Sequence, residues 1–210
     1  MDTALARSWV QAIAKAVDEH RDYLTQLDSA IGDADHGTNM HRGFTAVLAA
    51  LDGYDAPSVG DVLVRTGTTL ISSVGGASGP LYGTAFRRMG KELTGSTADA
   101  GQLAAALRAG LEGVQKLGAA VPGDKTIVDA YAPAVAAFEA RAGDGGLAAA
   151  AAHAAAAAEE GAKATVPLQA HKGRASYLGP RSVGHQDPGA TSTALIFAAL
   201  ASVTAGAEPR

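Results

Sequence analysis

Along most of this chain apolar residues return at steps of three and four, and strand-like alternation is hard to find; the pattern predicts an all-α fold. Eight helical segments follow. The first, about Asp2 to Leu27, carries Leu5, Trp9, Ile13, Val17, Leu24 and Leu27 on one stripe. The second has Met40, Phe44, Val47, Leu48 and Leu51. Pro57 and Ser58 form a helix start for the third, with Val59, Val62, Leu63, Leu70 and Val74. The fourth runs from about Pro80 with Leu81, Ala85, Phe86, Met89 and Leu93; the fifth, capped by Thr97 or Asp99, carries Leu103, Leu107, Leu111, Val114 and Leu117. The sixth, after Pro122 and Gly123, uses Ile127, Val128, Tyr131, Val135 and Phe138, with Pro133 as a candidate kink. The seventh, about Gly145 to Thr165, is dominated by alanine, the best helix former. The eighth follows Pro188 and Gly189 with Leu195, Ile196, Ala199, Leu200 and Val203.

Short connections favour antiparallel neighbours, so an up-and-down bundle puts alternate connections at opposite ends. One end receives "DGYDAPS", "TGSTAD" and "RAGDGG", all ordinary turn sequences. The other receives "DSAIGDADHGTN", "VGGASGP", "GAAVPGDKT" and the long "LQAHKGRASYLGPRSVGHQDPGATS". Residues scattered in sequence therefore converge on one rim of a helical scaffold, where functional loops usually sit.

What the rim binds is narrowed by composition. With 210 residues, 47% hydrophobic and 18% charged, the chain is expected to fold as a single domain, 1–210, and not to be disordered. A formal net charge of -4 without a basic run argues against a nucleic-acid partner. The absence of cysteine excludes disulfides and thiolate metal sites. The opening stretch "MDTALARSWVQAIAKAVDEH" lacks a signal peptide's apolar core, and no apolar run with real bilayer affinity is evident, so a cytoplasmic protein without membrane contact is expected.

Asp28, Asp33 and Asp35 crowd together with only Arg42 and His36 as local positive charge. Such carboxylates repel unless protonated or neutralised, and hard oxygen donors suit Mg²⁺ or Ca²⁺. Asp33 and Asp35 point the same way if their loop is extended. An EF-hand is excluded, because position twelve counted from Asp28 or Asp33 is Asn39 or Phe44 and not glutamate. The alternative is that the three are turn formers and helix caps. "GGASGPLYG", Gly75 to Gly83, places Ser78 and glycines before a helix, which suits an anion at the helix N-terminus; a glycine-lined helix crossing would use the same residues. No Gly-Lys-Ser/Thr follows, so it is not a P-loop. The last long loop offers Lys172, Arg174, Arg181, His185 and Asp187, and arginine can clamp a phosphate with two parallel bonds. Lys125 in "PGDKT" either meets phosphate or, the reading we favour from sequence, solvates a helix start. Together these features describe binding of a Mg²⁺-polyphosphate, of which a nucleotide is the commonest.

"LDSAIGDADHGTNM", "GGASGPLYGTAF", "PGDKTIVDA" and "GRASYLGPRSVGHQDPGATS" resemble the nucleotide-binding L subunit family of dihydroxyacetone kinase, also called DhaL or the DAK2 domain, over essentially residues 5–205. The resemblance implies a barrel of eight antiparallel amphipathic helices with ADP or ATP at one end. It implies that Asp28, Asp33 and Asp35 hold two Mg²⁺ ions, and that His36, Gly37, Thr38 and Asn39 line the nucleotide. Ala77 and Ser78 would contact phosphate, Gly118 and Ile127 would flank the adenine, and Arg174 with Asp187, Pro188 and Gly189 would close the site. No general base need come from this chain. It further implies a phosphotransferase subunit that passes the γ-phosphoryl group to dihydroxyacetone held on a separate K subunit. ADP would remain bound and be recharged by the M subunit of the phosphotransferase system. The alternatives are an ATP-exchanging subunit for another short ketose such as erythrulose, a relative acting on an acyl group, and a nucleotide-binding regulator without transfer.

Overall fold

Short polar side chains open most of the helices. In the computed structural model, which describes residues 1–143 and 146–207, helix α1 (Thr3–Glu19) starts at Asp2, whose carboxylate accepts the Leu5 N–H. Helix α2 spans Arg21–Ile31 and α3 His36–Leu51. Ser58 caps α4 (Val59–Ser73), and α5 is Ser78–Glu92. Reciprocal capping boxes, Asp99 with Gln102 and Thr126 with Asp129, open α6 (Ala100–Gly118) and α7 (Ile127–Ala142). Helix α8 is Gly146–Ala164, a 3-10 segment covers Arg174–Ser182, and α9 is Pro188–Ala207. Among the described residues there are nine α-helices and no strand.

The all-α expectation holds, with one helix more than the periodicity predicts. The first segment divides at His20, inside "DEHRD", where five consecutive residues lack an apolar member and the stripe is interrupted. Helix α2 then runs on to Ile31, so Asp28 stands on a helix and not in the loop. Helix α7 continues through Pro133. The expected start of the seventh segment at Gly145 lies outside the described residues.

Helices α3 to α9 pack in succession, α9 packs on α1, and α1 closes on α3. The eight form a ring, and α2 lies outside it against α3, α9 and the 3-10 segment. Trp9, Phe44, Tyr82, Phe86, Phe138 and Phe197 are fully buried inside, with the Trp9 and Phe86 rings 5.9 Å apart. Each such burial stabilises by about 1.5–3 kcal/mol. The indole of Trp9 donates to the Ile196 carbonyl at 3.0 Å, which satisfies its one polar group and ties α1 to α9.

Helix α9 is apolar nearly all round because α8, α1 and α7 surround it. By length and composition alone Pro188–Gly206 could cross a membrane, against the expectation that no such apolar run is present. Half of that stretch is buried within the ring.

Helices α4 and α5 approach backbone to backbone. A methyl group on Gly60 would stand 2.1 Å from the Gly90 carbonyl oxygen, and one on Gly67 2.5 Å from that of Gly83. This crossing fixes α5, and with it the glycine turn that precedes it.

Candidate functional site

The N-termini of α3, α5, α7 and α9 open on one cavity of about 280 Å³, so successive ring helices run antiparallel and alternate connections share an end. Four helix ends bring partial positive charge and unpaired N–H groups to the same space, an arrangement suited to an anion.

Its acidic corner is built by α2 and the turn after it. Asp28, buried on the last turn of α2, accepts the backbone N–H of Asp35 at 2.8 Å and of His36 at 3.1 Å. It thereby caps α3 from a neighbouring helix. Gly32 is required there, since a Cβ would fall 2.0 Å from the Asp28 Oδ1. The loop is not extended as supposed from spacing: Ala34 has φ 61°, in the left-handed region, and the turn it makes brings the carboxylates together. One oxygen each from Asp28, Asp33 and Asp35 lies within 4.8 Å of the others. Arg174 Nε pairs with Asp33 at 2.9 Å, while the Asp35 carboxylate has no hydrogen-bond or ion-pair partner among the described residues. Three hard oxygen donors with one cation between them fit a divalent ion such as Mg²⁺.

His36 is buried at the start of α3, with Nδ1 3.2 Å from Ser78 Oγ and Nε2 2.9 Å from Ser192 Oγ. Tyr82 extends the network: its hydroxyl meets the hydroxyls of Ser192 and Thr193 and donates to the Gly189 carbonyl. Helices α3, α5 and α9 are thus held together by neutral groups directly behind the cavity wall. Burial lowers the His36 pKa to about 4 against the opposing pull of Asp28 and Asp35. The unfolded chain therefore binds a proton that the folded chain refuses. The His36 contribution to stability is present above about pH 6.5 and lost as pH falls towards 4. In the metal-free protein, NMR titration of the His36 ring is expected to show a neutral imidazole throughout the range from pH 8 to about 5; a midpoint near 6.5 would refute the dry setting.

Asp28, Asp33, Asp35, His36, Ala77, Ser78, Gly118, Ile127, Arg174, Asp187, Pro188 and Gly189 all line the cavity. Gly37, Thr38 and Asn39 do not. Helical rotation explains this: Gly37 faces α2, where a Cβ would meet the Arg21 carbonyl at 2.0 Å; Thr38 is exposed; and Asn39 accepts from Arg42 at 2.8 Å. Arg181 and His185 are exposed and stand outside the lining, whereas Lys172 belongs to it. Burial raises the Asp187 pKa to about 7, opposed by the Ala190 N–H that its carboxylate accepts at 2.6 Å.

Lys125 lines the cavity and does not solvate the helix start, the reading favoured from sequence. It is buried, and its ammonium donates to the Leu168 carbonyl at 3.0 Å and the Ser182 carbonyl at 2.7 Å. The apolar wall of Leu81, Val114 and Val128 was also missed. Helical spacing could have found it, since Leu81 is one turn beyond Ala77 and Val114 one turn before Gly118. In "GGASGPLYG" the glycines divide: Gly75 and Gly76 line the cavity, while Gly79 and Gly83 form the helix crossing, where an added Cβ would stand 2.4 Å from the Val74 carbonyl oxygen and 2.3 Å from the Ile71 side chain.

Ring and cavity together define an all-α barrel domain with one polar end. The sequence model of the DAK2 domain matches residues 30–202, and the chain belongs to the DAK2 domain family. It is 42% identical over 199 residues to the ADP-binding subunit DhaL of PEP-dependent dihydroxyacetone kinase 1 from Listeria innocua, covering 95% of this chain and 96% of that one. It is 43% identical over 196 residues to the corresponding Escherichia coli subunit, covering 92% and 93%. The crystal structure of the dihydroxyacetone kinase from C. freundii in complex with AMP-PNP and Mg²⁺ superposes with a TM-score of 0.73 at 26% identity, over 95% of this chain and 34% of that one. The chain spans about a third of that larger protein.

Proposed function

We propose that this chain is the ADP-binding subunit of a dihydroxyacetone kinase, a single DhaL-type domain over 1–210 that carries the nucleotide half of a phosphotransferase site. The observation that carries the reading is the juxtaposition of three carboxylate oxygens within 4.8 Å of one another and four helix N-termini on one cavity. Kinship over nearly the whole length with two proteins named as ADP-binding subunits supports it. So does the likeness to a kinase structure holding AMP-PNP and Mg²⁺.

In this reading Asp28, Asp33 and Asp35 hold two Mg²⁺ ions. When bound, the ions offset the negative charge of the phosphates and of the departing oxygen. The residues of the chain position and enclose. The N-terminal amides of α5, with Ala77 and Ser78, face the phosphates. His36, neutral and fixed at both ring nitrogens, orients the Ser78 hydroxyl without adding charge. Gly118 leaves room for the adenine, and Ile127 supplies an apolar face. Arg174, Asp187, Pro188 and Gly189 close the remaining side, while Gly37, Thr38 and Asn39 support the loop from behind. The acceptor, dihydroxyacetone on a K-type subunit, and recharging by an M-type protein of the phosphotransferase system complete a cytoplasmic cycle.

Calorimetric titration of the purified chain with ADP is expected to show 1:1 binding that requires Mg²⁺ and disappears with chelator. Denaturing the untreated protein is expected to release stoichiometric ADP. No ADP binding at any Mg²⁺ concentration would overturn the reading; an empty protein that exchanges ATP freely would overturn the recharging cycle alone.

A further inference from the structure

The segment 169–181 crosses the open side of the cavity and supplies Lys172, Gly173, Arg174 and Ala175 to its lining. Apart from the 3-10 turns it has little regular structure of its own, and Tyr177 on it is 86% exposed. Something must hold it in place. Both of its ends meet at one buried atom, the Lys125 Nζ, which donates to the carbonyls of Leu168 and Ser182. Around that atom the closure is reinforced. Ser182 Oγ accepts from the Ala170 N–H at 2.9 Å and donates to the Gly179 carbonyl at 2.7 Å. The His171 N–H donates to the Asp124 carbonyl at 3.1 Å.

Lysine is the wrong residue at this place on local grounds. Its φ is 62°, where glycine costs least, and it is 1% exposed, where an apolar side chain costs least. Two carbonyls that are otherwise far apart in sequence explain its presence. Charge-assisted bonds to both are stronger than neutral ones, and they close a loop that the bare chain would leave open.

We propose that Lys125 is a positioning residue that clamps segment 169–181 shut over the cavity and so sets how slowly a bound nucleotide leaves. The inference rests on the nucleotide reading above for its ligand, but the clamp itself is a property of the protein alone. Lys125 itself belongs to the cavity lining, but its ammonium is committed to the two segment carbonyls. It acts through the segment that carries Arg174, whose guanidinium reaches Asp33 across the cavity mouth.

The test compares wild type with Lys125→Met, which keeps the length of the stem and removes the ammonium, and with Ser182→Ala, which removes only the hydroxyl bonds. Hydrogen exchange of the nucleotide-free proteins is expected to accelerate in 169–182 by roughly tenfold to a hundredfold in Lys125→Met, and by less in Ser182→Ala, with α4 to α6 unchanged. Dissociation of a fluorescent ADP analogue, measured with Mg²⁺ by competition with excess ADP, is expected to accelerate in the same order. Unchanged exchange in 169–182, or acceleration spread evenly over the whole chain, would overturn the clamp, and so would an unchanged dissociation rate. If Lys125→Met fails to fold, Lys125→Gln, which removes the charge but keeps a donor, decides by the same two readouts. Failure of wild type to bind the analogue would instead count against the nucleotide reading, and exchange would still decide whether the clamp exists.

Discussion

Replacing Asp33 or Asp35 by alanine is expected to abolish Mg²⁺-dependent ADP binding while leaving helix content intact. Both side chains are exposed, neither accepts a backbone N–H, and removing either relieves repulsion among three carboxylates gathered within 4.8 Å. The ion pair from Arg174 to Asp33 is also largely exposed, so its loss costs well under about 1 kcal/mol. Thermal stability without metal is therefore expected to hold or rise. Binding is a different matter, because a lost carboxylate removes a charge and a ligand at once. The drop should exceed the roughly 10- to 100-fold that losing an outer hydrogen-bond partner of a metal ligand typically costs. Calorimetry with ADP and Mg²⁺, paired with circular dichroism, measures both arms. Unchanged ADP affinity would remove the metal assignment. Asp28→Ala is the less informative variant: it also uncaps α3, at a cost of about 1–2 kcal/mol, so lost binding there mixes two causes.

That contrast among three aspartates shows where sequence stops being sufficient. Their convergence was legible, because carboxylates set so close in sequence between two helices crowd together in space. Their division of labour was not, because Asp28 caps a helix that begins eight residues later, across a turn whose shape depends on Ala34 and Gly32. Periodicity located the eight ring helices, since a stripe of apolar residues is a local property that survives folding. It did not register the break at His20, because beyond the interruption Leu24 resumes seven residues after Val17, at helical spacing, while α2 leaves the ring. The rim loops could be sorted to one end from topology alone. Their mutual contacts could not: Lys125 finds its carbonyls 43 and 57 residues away, and Arg174 meets an aspartate near the other end of the chain. The family resemblance puts Thr38 and Asn39 beside the nucleotide, and helical rotation leaves both outside the cavity lining.

Gly67→Ala is expected to damage the fold although it adds only a single methyl group. On helix propensity alone the change should help, since glycine inside a helix costs about 0.5–1 kcal/mol relative to alanine. Here the new Cβ would stand 2.5 Å from the Gly83 carbonyl oxygen and 2.7 Å from the Arg87 backbone nitrogen. These atoms belong to α5 backbone and cannot rotate aside, so the two helices must separate. Overpacking of this kind costs about 1–3 kcal/mol or more even where side chains can adjust. A net loss of about 2 kcal/mol or more corresponds, for a domain of this size, to a fall in Tm of roughly 4–8 °C. Gly101→Ala is the matched control. It lies on exposed α6 surface, its nearest foreign atom is the Asp99 carboxylate at 3.4 Å, and it should stabilise by about 0.5 kcal/mol. Thermal denaturation of both variants gives opposite signs for the same chemical change if the α4–α5 contact is as close as described. Because that contact seats α5, whose N-terminus with Ala77 and Ser78 lines the cavity, Gly67→Ala should also weaken ADP binding below its midpoint, and Gly101→Ala should not. A rise in Tm for both would mean that α4 and α5 have room between them.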